Sequence, residues 1–362
     1  MSTFPDHIQS LLLKAALLDG SEAQEAITTW ADRVDLNEID WASQRLVPLL
    51  FENIRRLGMT PQYFDLLKGV HRYWWFRNSR NMGRLKTVAS GLKKAGVKDI
   101  MLLKGCALAN FYYSDVALRP MSDIDILVRP ADAVTAMKAL KHLGFTVPNS
   151  YEGQLDAETV YRLMSRLGFS HPEYGDVDLH WEMLPVHSGR QFDNNVWQNA
   201  VEQELDGEDY YIPCAPDLLL HAILHGLRNN VMLPIWWVAD AQAIMQGEPK
   251  MDWQYFFSQV TLAKRAGIVN EAFEWLEATL PSAALQNMPQ APEDRRYSLS
   301  RRYLGSTSRV FRFQELRREF AGYCDRSGVA RTPSRFMQYL QLKWELASYR
   351  ELPARALQSW RL

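Results

Sequence analysis

Cysteine is scarce in this chain, and the few cysteines present are poorly placed for cross-linking. Cys106, Cys214 and Cys324 are three in 362 residues, odd in number, far apart and in no C-x-x-C arrangement. Neither a disulfide framework nor a zinc ribbon is built that way, and a reducing cytoplasm is the expected setting. Long apolar runs are missing as well. No segment reaches the roughly eighteen unbroken apolar residues that a membrane-spanning helix requires, and the most apolar early stretch, Leu11 to Leu18, is interrupted by Lys14. The start of the sequence lacks the basic segment, apolar run and cleavage site of a secretory signal, so no membrane association is expected. Internal repeats and low-complexity segments are also absent, which gives no support to a repeat array or a disordered chain.

What is present supports a sizeable core. With 47% hydrophobic and 12% aromatic residues, a chain of this length is expected to fold into two or three structural units. The net charge of −1 conceals an asymmetry, because residues 295–362 carry 15 Lys and Arg against 5 Asp and Glu, a local +10 that leaves −11 elsewhere. Two readings of that basic tail are open: amphipathic helices docked on an acidic body, or a surface for nucleic acid or another polyanion through Arg309, Arg312, Arg317, Arg318, Arg331 and Arg335.

Residues 5–95 read as successive helices, with apolar positions three and four apart in Ile8-Leu11-Leu12-Ala15 and Leu46-Leu49-Leu50-Ile54. Gly20, Gly58 and Pro61 punctuate them, and the run Tyr73-Trp74-Trp75-Phe76 on the long stretch 62–94 is expected to pack in the core. After Gly96 the texture changes. Strands are expected at 99–103, 124–128, 145–147, 166–171, 177–181, 201–205 and 210–212, with a helix over 131–143. Helices return from Asp217, with breaks at Pro234, Pro281, Pro292 and Pro333. The expected organisation is a helical region 1–95, an α/β core 96–213, helices packed on it over 214–290, and a basic helical region 291–362.

The segment from Leu118 to Val128, reading LRPMSDIDILV, carries the chemistry. On a strand alternate side chains share a face, so Ile124, Ile126 and Val128 are expected in the core and Asp123 and Asp125 together toward solvent. Two adjacent carboxylates repel unless a cation lies between them, and hard divalent ions such as Mg²⁺ take carboxylate and phosphate oxygens. Taken alone, an Asp-x-Asp is also a common solvated strand end or helix cap. The run Val177 to Glu182 adds a third acid by the same alternation, which places Asp178, His180 and Glu182 on one face. Three converging carboxylates suffice to hold two metal ions roughly 4 Å apart. Asp176 shares this parity, but Asp178 is preferred because Asp176 adjoins Gly175 at the strand start.

Lys104-Gly105 follows one strand and opens a short helix, 106–111, whose free N–H groups suit a phosphate. Gly105 would allow close backbone approach. Lys104 adds a point charge, and the planar fork of Arg119 suits phosphate oxygens. A structural pair of Arg119 with Asp123 or Asp115 is the competing assignment.

Together, Leu103-Lys104-Gly105, the run Arg119 to Val128 and Asp178-Leu179-His180-Trp181 resemble the uncharacterised bacterial nucleotidyltransferases of the DNA polymerase β superfamily over roughly residues 40–250. The resemblance implies an α+β fold, a small mixed-sheet nucleotidyltransferase core flanked by N-terminal and C-terminal helical regions. It implies Asp123, Asp125 and Asp178 as catalytic Mg²⁺ or Mn²⁺ ligands, with Lys104, Gly105, Arg119 and Ser122 as nucleotide contacts. One departure stands out: the superfamily usually has Gly-Ser at the phosphate turn, whereas this chain has Gly105-Cys106, leaving only backbone donors.

The resemblance extends over Asp217 to His225 and Trp236 to Asp240. His221 and His225 share a helix face, but Ala222 stands where an H-E-x-x-H zinc site needs glutamate. These histidines are nucleotide contacts together with Arg228, a metal-binding pair or packed core groups, and His180 is either an outer partner of a carboxylate or a structural strand histidine. The implied reaction moves a nucleoside monophosphate from a nucleoside triphosphate to a hydroxyl acceptor, which can be a small molecule, a protein or RNA. The alternatives are an inactive nucleotide- or partner-binding protein of the same fold, or a nucleic-acid-binding protein using the basic tail.

Overall fold

In a computed structural model, the structure describes residues 4–36, 38–147, 156–184, 188–227, 235–280, 309–344, 346 and 348–351. Helices open the chain, as the spacing of apolar residues dictates: α1 (His7–Leu17), α2 (Gly20–Ala31), α3 (Trp41–Gln44), α4 (Val47–Arg56) and the 31-residue α5 (Phe64–Lys94). Asp6 and Gln9 form a reciprocal capping box on α1. Asp40 caps α3 by accepting from the backbone N–H groups of Ala42 and Ser43, both at 3.0 Å.

The expectation that Tyr73 to Phe76 pack in the core is overturned. Tyr73, Trp75 and Phe76 are 52%, 50% and 60% exposed. Helix α5 buries a single stripe that includes Leu67, Asn78, Met82, Leu85 and Leu92, and adjacent aromatics cannot all fall on one stripe. They carry arginines instead: Arg77 lies over the rings of Tyr73 and Trp74, and Arg80 over Phe76.

A six-stranded mixed sheet follows, in the order β3-β4-β2-β1-β6-β5. Its strands are β1 (Ile100–Leu102), β2 (Ile124–Val128), β3 (Arg166–His171), β4 (Gly175–His180), β5 (Val201–Leu205) and β6 (Glu208–Ile212). The pairs β2/β4 and β1/β6 are parallel and the other three antiparallel. Phe145–Val147 contributes one isolated bridge, Thr146 with Ser170, rather than a strand. Between strands lie α6 (Lys104–Phe111), α7 (Ala133–His142), α8 (Ala157–Leu163) and α9 (Arg190–Gln198), and beyond the sheet α10 (Ala215–Gly226), α11 (Trp237–Gly247), α12 (Trp253–Ala263) and α13 (Ala266–Thr279). The α+β expectation holds.

Alternation along β2 misplaced one face. All five of its residues are buried, because β2 is a central strand and Asp125 is covered by Lys104 and His180 rather than by water. Glu182, expected on the face of Asp178, lies past the end of β4, buried and paired with Arg326.

One continuous apolar core runs from α1 to α13, and a second, smaller one joins α14 (Arg309–Ser327) to α15 (Pro333–Lys343) through Phe320, Tyr323, Cys324, Tyr339 and Leu340. Basic residues of this helix pair are tied to acids: Arg326 to Glu182, Arg318 to Glu315, Arg331 to Asp325 and Lys343 to Glu319. The side chains of Arg309 and Arg312 lie outside the described residues, as do Arg228, Pro234, Pro281 and Pro292.

Candidate active site

Register assembles the site. Parallel pairing of β2 with β4 sets Asp125 opposite Asp178 and Leu127 opposite His180, so Asp178 and His180, two apart on β4, reach the Asp125 face together. His180 Nε2 lies 3.2 Å from Asp125 Oδ1 and 3.8 Å from Asp178 Oδ2. One ligand atom from each of Asp125, Asp178 and His180 falls within 4.8 Å of the others. Across from Asp178 on β3 stands Gly168, where a Cβ would come within 3.3 Å of Asp178 Oδ1, so the missing side chain leaves the carboxylate room.

Two cations hold this cluster. Lys104 Nζ sits 2.5 Å from Asp125 Oδ1 and 3.8 Å from Asp178 Oδ2, and Arg166 Nη1 donates to Asp178 Oδ2. Lys104 reaches the acids from a left-handed backbone, φ +47°, at the first residue of α6. That conformation costs a non-glycine residue on the order of 1 kcal/mol and is retained where surroundings impose it. Arg166 was legible only as the start of a strand; no spacing marked it as a partner of Asp178.

Asp123 borders the same cleft but is not among the three grouped ligands. It accepts from Ser122 Oγ at 2.9 Å, and burial, then the charge of Asp125, raises its carboxyl above the usual range. Ser122 in turn accepts from Arg45 Nη2 at 3.3 Å. The cleft encloses about 250 Å³ and is bordered by Lys104, Gly105, Arg119, Ser122, Asp123, Asp125, Asp178 and His225 among the expected residues, joined by Trp41, Arg45, Met121, Arg166 and Trp236.

Arg119 pairs with neither Asp123 nor Asp115. Its Nε and Nη2 donate to Asp240 Oδ1 and Oδ2 at 2.6 and 2.9 Å, its Nη1 donates to the Pro120 carbonyl at 2.8 Å, and Tyr113 also donates to Asp240 at 2.9 Å. Burial pulls the Arg119 guanidinium down, but the charge and hydrogen bonds of Asp240 outweigh it and the net shift is upward.

Gly105 answers a packing need different from the one its motif suggests. A Cβ there would meet Met121 Cγ at 2.6 Å, so a side chain at this position disturbs the protein before it could obstruct a ligand. Cys106 is wholly buried in the core and does not border the cleft. His221 is buried with its ring stacked on that of His225, centroids 5.7 Å apart, and both border a narrow extension of the cleft toward Asp240.

The donor set suits a divalent cation: two carboxylate oxygens and an imidazole nitrogen converge, a mixture tolerated by Mn²⁺ and later divalent ions and by Mg²⁺ when phosphates complete its shell. Lys104 would have to yield its contact with Asp125 to such an ion.

A family described as uncharacterised nucleotidyltransferase matches residues 41–280. No curated protein matches the chain.

Proposed function

Since the chain belongs to the uncharacterised nucleotidyltransferase family, we propose that it transfers a nucleoside monophosphate from a nucleoside triphosphate to a hydroxyl acceptor, with Asp125 and Asp178 as principal metal ligands and Asp123 as a further carboxylate of the site. The observation that carries this reading is the convergence of Asp125, Asp178 and His180 in a cleft that also presents Lys104. The acceptor oxygen forms a bond to the α-phosphorus, the bond from that phosphorus to the bridging oxygen breaks, and pyrophosphate leaves as the hydroxyl gives up its proton.

A Mg²⁺ or Mn²⁺ ion held there would supply charge against the triphosphate and lower the pKa of the attacking hydroxyl. The residues do the positioning, which is where catalysis of phosphoryl transfer chiefly resides. Asp125 and Asp178 are fixed by strand pairing, so their geometry needs no loop ordering. His180, wedged beside both, orients them. Lys104 is released from Asp125 to the phosphates, and Arg166 remains on Asp178.

The test incubates the protein with each α-labelled nucleoside triphosphate, Mg²⁺ or Mn²⁺ and cell extract. Label should pass to an acceptor with pyrophosphate release, and Asp125→Asn should reduce transfer on the order of 10³-fold while leaving the fold intact. Binding of metal and nucleotide with no transfer to any acceptor would favour the inactive nucleotide-binding alternative. That alternative has its own support, because the buried Cys106 stands where the turn serine is usual and brings no hydroxyl to the phosphates.

A further inference from the structure

Arg45 follows α3, at the lip of the cleft, and is only 9% exposed. Its guanidinium carbon lies 4.2 Å from the ring centre of Trp41 and 4.6 Å from that of Trp236, two indoles that meet edge to face at 5.4 Å. Asp40 fixes the turn that carries Trp41 and Arg45 through its two cap bonds. The stack dehydrates the cation and sets its plane, but aromatic faces do not satisfy N–H donors. Nη2 donates to Ser122; among the described residues the buried Nε has no partner and no carboxylate pairs with Arg45.

A buried cation without a counter-ion is unfavourable unless something supplies the negative charge. Burial, reinforced by neighbouring Arg119, pushes the Arg45 guanidinium down to about 10. Arg119 has its fork committed to Asp240, whereas Arg45 retains donors at the cleft, one hydrogen bond from Ser122 and two from Asp123. A planar, partly dehydrated guanidinium matches phosphate oxygens.

We propose that Arg45, clamped between Trp41 and Trp236, is the guanidinium that binds the phosphate chain of the nucleotide, in place of Arg119. This rests on the nucleotidyl-transfer reading for the identity of the ligand, though not for the existence of an anion site.

The experiment titrates the full-length protein with inorganic tripolyphosphate and with ATP, with and without Mg²⁺, by calorimetry and tryptophan fluorescence. Wild-type protein should bind tripolyphosphate and change its emission, and Trp41→Phe should diminish that change. Arg45→Met should weaken binding roughly 10- to 100-fold, the value of a charged hydrogen-bonding pair, and Arg45→Lys should fall between. Arg45→Met should melt no lower than wild type without ligand, whereas a merely structural arginine would lower the melting temperature. Unaltered tripolyphosphate affinity in Arg45→Met, no binding by wild type, or a lower ligand-free melting temperature for the variant would overturn the proposal. The two readings fail separately. Arg45-dependent tripolyphosphate binding without transfer of any label sinks the transferase and keeps the site; transfer with an unchanged KM for the nucleoside triphosphate in Arg45→Met does the reverse.

Discussion

Of the three guanidiniums that line the cleft, Arg119 and Arg45 are held in opposite ways. Arg119 is buried and spends its fork on Asp240, itself further bonded by Tyr113. Arg45 is buried nearly as deeply, yet it is held by two indoles and a single serine hydroxyl. Burial disfavours both charges; Asp240 overcomes the penalty at Arg119, and nothing does so at Arg45. Burial and charge alone therefore do not distinguish a framework cation from a ligand-binding one. The state of the donors does, because a satisfied fork has nothing left to offer a substrate.

The comparison is most readily broken at Asp240. Replacing it with Asn, or Arg119 with Met, leaves the other charge buried without its partner, and each variant should lose about 3 to 5 kcal/mol in urea unfolding. The double variant Arg119→Met with Asp240→Leu should recover much of that loss. If Arg119→Met is as stable as wild type, the assignment of Arg119 to the framework is wrong.

A smaller effect is expected at Gly105. The segment 119–122 carries both Arg119 and Ser122, the hydroxyl that receives Arg45, and its Met121 fills the space a Cβ on residue 105 would take. Gly105→Ala should cost about 1 to 3 kcal/mol by overpacking. Its effect should combine non-additively with Met121→Ala, as expected for residues in contact. This revises the motif-based expectation that Gly105 serves the close approach of a phosphate.

The smallest effect is at Arg45 and should have the opposite sign. Its folded-state value, about 10, lies below that of an ordinary arginine, so between the two the unfolded chain binds more protons and this residue's penalty declines as pH rises. Below about 10 the penalty is complete. Arg45→Met should therefore be equal to or more stable than wild type near neutrality, by about 1 kcal/mol, and its advantage should shrink above pH 10. A gap that widens with pH would contradict the unpaired state.

Much of the framework was legible because it depends on periodicity. Ile124–Val128, Arg166–His171 and Val201–Leu205 fall where alternation placed them, and α5 spans nearly all of the stretch expected for it. Periodicity failed where burial is two-sided or one-sided against expectation: Asp125 lies on a strand buried throughout, and Tyr73 to Phe76 lie on a helix that buries only one stripe. Of the cleft residues, the acids and Lys104 stood out because short motifs keep them together. Arg45, Arg166 and Trp41 did not, since each is an ordinary residue locally and acquires its role from a partner 12 to 195 positions away.

The sequence by itself determined which residues could carry charge chemistry and the strands and helices on which they sit, because spacing fixes which side chains share a face. Only the tertiary structure decided their partners: Asp125 opposite Asp178 through a parallel register, Arg119 against Asp240 across 121 residues, and Arg45 between indoles from α3 and the approach to α11. Local periodicity specifies direction but not neighbour. Whether a buried cation belongs to the framework or faces a ligand depends on that neighbour.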